Sequence, residues 1–209
     1  MVNGKKGEIK KGVFESMEEN RFMIHFEYED EKLRDICKEA IRSKYGNSVS
    51  GLIKKRLDKE LDIISKNRDA NNFLVLKDFS DKSRDLGYPV SCRGTGGSSF
   101  VAYLCGLTEV NPLPAHYYCR NCRRIESYKS DDFQITGSSL PDKHCPICGK
   151  HMERDGFNIP FESFLGLNGE KKIDLWLDVA PELWNEMFEQ AEELYGVGQV
   201  VCAGCIGYD

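Results

Sequence analysis

The chain has 209 residues, 40% hydrophobic and 30% charged, a length that supports one core of ordinary size and excludes a large multidomain enzyme within these residues. Its net charge of -5 excludes nucleic-acid binding by bulk electrostatics, which needs a clustered basic surface, although a local basic groove is still compatible with it. No stretch approaches the ~18 consecutive apolar residues of a membrane span, and Met1-Val2-Asn3-Gly4-Lys5-Lys6 has no apolar leader core, so we expect a cytoplasmic chain with reduced thiols and no membrane partner.

Residues 1–26 read as a basic, flexible start, because Lys5, Lys6, Lys10 and Lys11 are interleaved with Gly4, Gly7 and Gly12. Over 30–45, Leu33, Ile36, Cys37, Ala40 and Ile41 fall at helical spacing, and Gly46 stops the helix. Residues 50–66 repeat that pattern with Ile53, Leu57, Leu61 and Ile64. Phe73-Leu74-Val75-Leu76 is a dense apolar run consistent with a buried strand or a core helix, and 78–87 reads as helical.

Ser91-Cys92-Arg93-Gly94-Thr95-Gly96-Gly97-Ser98-Ser99 is a glycine-rich loop that opens a helix at Phe100, with Ser98 or Ser99 as its cap. A loop leading into a helix directs backbone N–H groups toward an anion. The loop lacks the lysine and spacing of a P-loop and is no dinucleotide fingerprint, so phosphate binding and a tight turn between packed elements remain equal alternatives. Ile173 to Asp178 alternates like a strand. An amphipathic helix follows from Pro181 to Gly196, and Gln199-Val200-Val201-Cys202 forms a last short strand.

Between them, residues 111–160 lack sustained periodicity and need an external staple. Cys119-Arg120-Asn121-Cys122 and Cys145-Pro146-Ile147-Cys148 supply it, as two Cys-x-x-Cys knuckles separated by 22 residues. Two such pairs place four thiolates around one structural Zn²⁺ at ~2.3 Å, closed to substrate. His116, His144 and His151 read as surface histidines beside this site. Cys202 and Cys205 have no partner pair, and Cys37, Cys92 and Cys105 read as small buried hydrophobes.

Taken together, these motifs resemble the PolC-type alpha subunit of bacterial DNA polymerase III. The resemblance is carried by Gly87 through Ala102, similar to that family's glycine-serine motif, and by Thr108-Glu109-Val110-Asn111-Pro112-Leu113-Pro114 leading into the four cysteines. Asp155 through Gly166, Glu193-Leu194-Tyr195-Gly196 and Ala203-Gly204-Cys205-Ile206-Gly207 extend it, and Arg56-Leu57-Asp58-Lys59-Glu60-Leu61 resembles the helix before the palm. The resemblance implies an α+β fold: a partial polymerase-beta-type nucleotidyltransferase palm with an inserted zinc-ribbon-like subdomain. Residues 27–110 would be the helical lead-in and first half of the palm, 111–160 the zinc insertion, and 161–209 a truncated second palm segment.

By the same resemblance, Arg93, Gly94, Thr95, Gly97 and Ser98 would hold the triphosphate of a deoxynucleotide. The departures are Ser91 and Cys92 in place of Gly-Ser, Thr95 in place of Ser, and Lys172-Ile173-Asp174 in place of the family's Asp-x-Asp. That motif holds two Mg²⁺ ions for in-line phosphoryl transfer. Asp174 is therefore the catalytic candidate, with an ammonium at its partner position, and Asp178 lies ~13 Å along the strand, too far to replace the missing ligand. The third aspartate and the fingers would lie downstream of residue 209. The expected function is thus a catalytically degenerate palm that binds or regulates in DNA replication, through a nucleotide or a replication protein. A component of a split polymerase, with ligands and Mg²⁺ sites completed by a complementary chain, is the first alternative. A zinc-stabilised interaction module without nucleotide is the second. DNA contact is not decided by the acidic balance.

Overall fold

Leu33, Cys37, Ile41 and Tyr45 lie along one face of helix α1 (Glu29–Tyr45), and Ile53, Leu57, Leu61 and Ile64 along one face of α2 (Gly51–Lys66). Both stripes are buried in one core, as their spacing dictates. The computed structural model describes residues 29–46, 49, 51–128, 135–166, 171 and 173–198. The expected flexible start at 1–26, the expected strand at 199–202, and Lys172, Cys202 and Cys205 lie outside the described residues.

The apolar run 73–76 belongs to a helix, α3 (Ala70–Asp85), which also takes in most of the segment read as helical beyond it. Ala70, Phe73, Leu74, Ser80 and Ser83 are its buried positions, a helical and not an alternating set. The two asparagines that precede the run lie in the helix's first turn, where Asn72 donates both its N–H and its side-chain amide to Asp69. Val75 and Leu76 are only half-buried, so the density of the run reflects a helix covered on much of its circumference.

Strand β1 (Ser91–Gly94) follows α3, then a single helical turn (Thr95–Ser98) and the short helix α4 (Phe100–Leu104). The sheet of the cysteine-rich segment has the order β3-β2-β4, antiparallel throughout, from β2 (His116–Cys119), β3 (Arg124–Ser127) and β4 (Glu153–Asp155). The chain returns through α5 (Phe161–Leu165) to β5 (Leu175–Asp178), which pairs antiparallel with β1, and ends its described part with α6 (Trp184–Tyr195). Among the described residues this second sheet has two strands. The arrangement is a mixed α+β fold, and no described helix is long and apolar enough to cross a membrane.

Two cores divide the structure. The larger gathers α1 to α5 around Phe73, Phe100 and Phe164, and α4 packs on both α1 and α2. Among the described residues the smaller holds Ala115, Tyr117, Cys119, Leu140, Cys145 and Met152 as its buried members, and two of those six are cysteines of the knuckles. A cluster so small stabilises little by burial, which is the physical reason a staple would be needed in that segment.

The two parts meet at a laced neck. Phe157, Asn158 and Ile159 donate their N–H groups to the carbonyls of Asn111, Leu113 and Pro112 at 2.8, 2.9 and 3.0 Å. Gly156 turns the chain there with φ of 98°, and a Cβ at this position would lie 2.7 Å from the Leu113 carbonyl oxygen. Gly156→Ala therefore combines left-handed strain with a backbone clash and is expected to cost about 2–4 kcal/mol in denaturant unfolding. Gly87→Ala, also at positive φ but in open space, is expected to cost only about 1 kcal/mol. Equal losses at the two positions would count against the packing account.

Candidate functional site

The helix α4 begins with Ser99, whose hydroxyl accepts from the Ala102 N–H at 3.0 Å. Ser99 is thus the cap, of the two serines the sequence offers. The N–H groups of Phe100 and Val101 point instead at the carboxylate of Glu60, at 3.1 and 3.0 Å, and the Tyr103 N–H reaches the Ser99 carbonyl at 3.1 Å. With the Ser99 N–H on the Gly96 carbonyl at 3.1 Å, each of the four N–H groups that this helix start leaves open has its partner within the chain. The anion at this helix start is Glu60, so the loop-then-helix geometry does not offer α4's first turn to an external phosphate.

Glu60 has no exposed surface and also accepts from the Ser99 hydroxyl at 2.9 Å. Its countercharge is Arg56, one helical turn earlier, with Nε 2.5 Å from the carboxylate. Neither residue stood out in sequence as part of the site. The signal was present, since Glu60 occupies offset 3 from Leu57 in the stripe Leu57, Leu61, Ile64, a position where a charge is buried only with partners.

The loop itself is built against β5. Thr95 grips the backbone of Asp174 three times: its N–H and its hydroxyl donate to the Asp174 carbonyl at 2.7 and 2.9 Å, and its hydroxyl accepts from the Asp174 N–H at 3.0 Å. Gly94, at φ of 78°, leaves no room for a side chain, because a Cβ would fall on that same carbonyl. Gly96 is buried under Cys92 and Leu175 for a similar reason. Gly97 faces open space, and the Ser98 hydroxyl has no hydrogen-bond partner among the described residues.

Arg93 reaches across the sheet to Asp178 as a fork, Nε and Nη2 lying 2.5 and 2.6 Å from the two carboxylate oxygens. The pairing holds the Asp178 carboxyl below its ordinary range and the guanidinium above its own. Both side chains are exposed, so the pair is solvated and exchangeable. Asp174 shares its strand face with Trp176, whose indole Nε1–H donates to Asp174 Oδ1 at 2.7 Å. Ser91, Arg93, Asp174, Trp176 and Asp178 are all exposed on this outer face.

The four knuckle cysteines converge, their sulfurs all within 4.8 Å of one another. Cys119 and Cys148 are 3.6 Å apart, and Cys122 and Cys145 3.9 Å. A tetrahedral ion with ~2.3 Å bonds to sulfur requires edges of ~3.8 Å, so the residues present fit a four-thiolate metal. Each knuckle sits at a chain reversal. The first joins β2 to β3, with Arg123 at positive φ, and the second closes through Gly149, whose N–H reaches the Cys145 carbonyl at 2.9 Å. Backbone N–H groups of Cys148 and Ile147 hold Cys145 down at about 6, and that of Lys150 holds Cys148 below the ordinary thiol range. Cys122 is pushed up to about 12, chiefly by its hydrogen bond with Cys148. The second knuckle is thus prepared for thiolates, the form that binds metal.

The histidines divide. His144 and His151 are exposed and meet edge to face, but His116 is 2% exposed, which corrects its reading as a surface residue. It packs on Tyr45 and donates Nδ1–H to the Pro114 carbonyl at 2.7 Å, and burial lowers its basicity. Beside it, Asp155 accepts from Asn111, Tyr103 and Lys44, joining α1 and α4 to β4. An open cleft beside Lys44, Tyr103 and Asp155 involves none of residues 91–98. Cys37 and Cys105 are buried as expected, while Cys92 is half-buried in β1.

Because Glu60 supplies the acceptors for α4's first turn, Glu60→Ala leaves Arg56 buried without its partner and N–H groups without acceptors. Chemical denaturation is expected to show a loss of about 3–5 kcal/mol, against near neutrality at exposed Asp58 of the same helix.

Comparison with known proteins follows the same segments. Residues 31–208 match the family described as the bacterial DNA polymerase III alpha NTPase domain. The PolC-type DNA polymerase III of Caldanaerobacter subterraneus subsp. tengcongensis is 41% identical over 189 residues, covering 90% of this chain and 13% of that protein. That of Clostridium perfringens is 41% identical over 178 residues, covering 85% and 12% respectively, and that of Bacillus subtilis is 39% identical over 178 residues with the same coverage. The chain spans about an eighth of the length of these curated relatives. With most of its length inside the family match, the chain belongs to the bacterial DNA polymerase III alpha family and is of the PolC type.

Proposed function

We propose that this chain is a palm module related to DNA replication whose own metal-dependent catalytic centre is degenerate, and that it acts by binding, as a partner or regulator of replication proteins. In this reading residues 111–160 form a zinc-ribbon-like insertion in a polymerase-beta-type palm, with Zn²⁺ held by Cys119, Cys122, Cys145 and Cys148. The observation that carries it is the outer face of β5. In the sequence, alternate positions 172, 174, 176 and 178 read Lys, Asp, Trp and Asp, so no two successive ones are both carboxylates. Asp174 is engaged by the Trp176 indole and Asp178 by the Arg93 fork. Two-metal phosphoryl transfer needs two carboxylates holding ions about 3.5–4 Å apart, and this face supplies one carboxylate at a time.

Nucleotide contact in this reading is weakened and falls to Gly97, Ser98 and an Arg93 released from Asp178. Titration of a deoxynucleoside triphosphate against melting temperature tests it. A ligand at 100 times its dissociation constant adds about 2.7 kcal/mol, a shift of roughly 5–10 °C for a chain of this size. Asp178→Asn frees the guanidinium and is expected to tighten binding several-fold. No shift at millimolar ligand in either protein would leave the metal-stapled interaction module. For the metal, elemental analysis is expected to find one equivalent of zinc, lost together with melting temperature on chelation. Less than half an equivalent would remove zinc from the reading.

A second reading, a component of a split polymerase, is favoured by the exposure of Asp174 beside the glycine-serine loop, where a complementary chain could add the remaining ligands. It requires Mg²⁺-dependent incorporation once a complementary polymerase chain is added, abolished by Asp174→Ala. Absence of incorporation, or indifference to that substitution, would exclude it.

A further inference from the structure

We infer that Arg56 is a positioning residue that couples the cysteine-rich segment to the glycine-serine loop, so that metal loading at the four cysteines orders the loop. One guanidinium, 12% exposed, reaches three elements at once. Nε lies 2.5 Å from Glu60, Nη2 donates to the Ser98 carbonyl at 2.9 Å, and Nη1 donates to the Ile159 carbonyl at 3.0 Å. Ser98 is the last residue of the loop's helical turn, and Glu60 holds the first N–H groups of the helix that follows.

Ile159 is the other end of the connection. Its own N–H is bonded to Pro112 in the laced neck, and the neck runs directly into β4 on one side and toward β2 on the other. β2 and β4 are paired through His116–Asp155, Tyr117–Arg154 and Tyr118–Glu153, and β2 ends at the ligand Cys119. The path from thiolate to loop is therefore continuous: Cys119, the β2–β4 pair, the neck, the Ile159 carbonyl, Arg56, Ser98. A planar fork is required at the junction, because a lysine ammonium is a single point and cannot span three fixed acceptors in this geometry. The smaller core depends on its metal for rigidity, so loss of the ion loosens the sheet and the neck and removes one of the three anchors of Arg56.

The consequence for nucleotide binding rests on the function proposed above, but the coupling itself stands on these hydrogen bonds and is read without nucleotide. Amide hydrogen exchange of the full chain, zinc-loaded and after EDTA treatment, is the test. In the wild-type protein, EDTA is expected to raise exchange at residues 96–101 about tenfold relative to 33–41 of α1. In Arg56→Lys, the loop is expected to exchange fast with or without zinc, while 116–127 still responds to the metal. A purely packing role for Arg56 would alter stability without removing that selective response. An unchanged loop on chelation in the wild type, equal loosening of loop and α1, or a wild-type metal response in Arg56→Lys would each overturn the inference. The wild-type comparison decides by itself should the variant not fold. A loop that responds to zinc in a protein that shows no triphosphate shift would sink nucleotide binding and leave the coupling intact.

Discussion

The buried carboxylate of Glu60 is the constraint on which the loop and its surroundings depend. A helix of five residues, α4, cannot sustain itself by its own hydrogen bonds, and its first N–H groups would be buried without acceptors if Glu60 were elsewhere. Glu60 in turn is tolerable in the interior only because Arg56 is beside it and Ser99, Phe100 and Val101 donate to it. The charge, the helix start and the loop conformation therefore stand or fall together. This also decides the chemistry open to the loop, since an incoming anion meets a helix start already filled by an anion.

The cysteine-rich segment shows the complementary economy of a small core. Six buried side chains among the described residues cannot hold three short strands, and the four converging sulfurs could hold a metal there. An ion closed by four thiolates would be a structural element and not a reagent. Its attachment to the helical core combines Tyr118, buried in the larger core against Tyr45, with polar contacts through Asp155, Asn111 and the laced neck, and polar attachments need correct geometry on both sides to be stable.

The outer face of β1–β5 rests on a scaffold of backbone contacts. Glycines 94 and 96 allow the loop to lie on β5, and Thr95 pins the backbone of Asp174. Around that scaffold the Arg93 guanidinium neutralises Asp178, and the Trp176 indole donates a hydrogen bond to the carboxylate of Asp174. A fold persists through backbone contacts, whereas catalysis needs particular side chains at particular distances.

The amino-acid sequence alone determined the helices α1, α2 and α6, whose stripes are long enough for periodicity to be unambiguous, and the four knuckle cysteines, whose spacing follows from metal geometry. It also carried the family, because motif order survives substitution. It left open whether 73–76 is strand or helix, since a four-residue apolar run has no period of its own. The burial of His116 was misjudged because its partners, Tyr45 and Pro114, are set by packing across the neck. The roles of Glu60, Arg56 and Asp178 were decided only by tertiary structure. Each acts through partners brought near by folding, 39 residues apart for Glu60 and Ser99 and 85 for Arg93 and Asp178, and no local pattern encodes a contact at that separation.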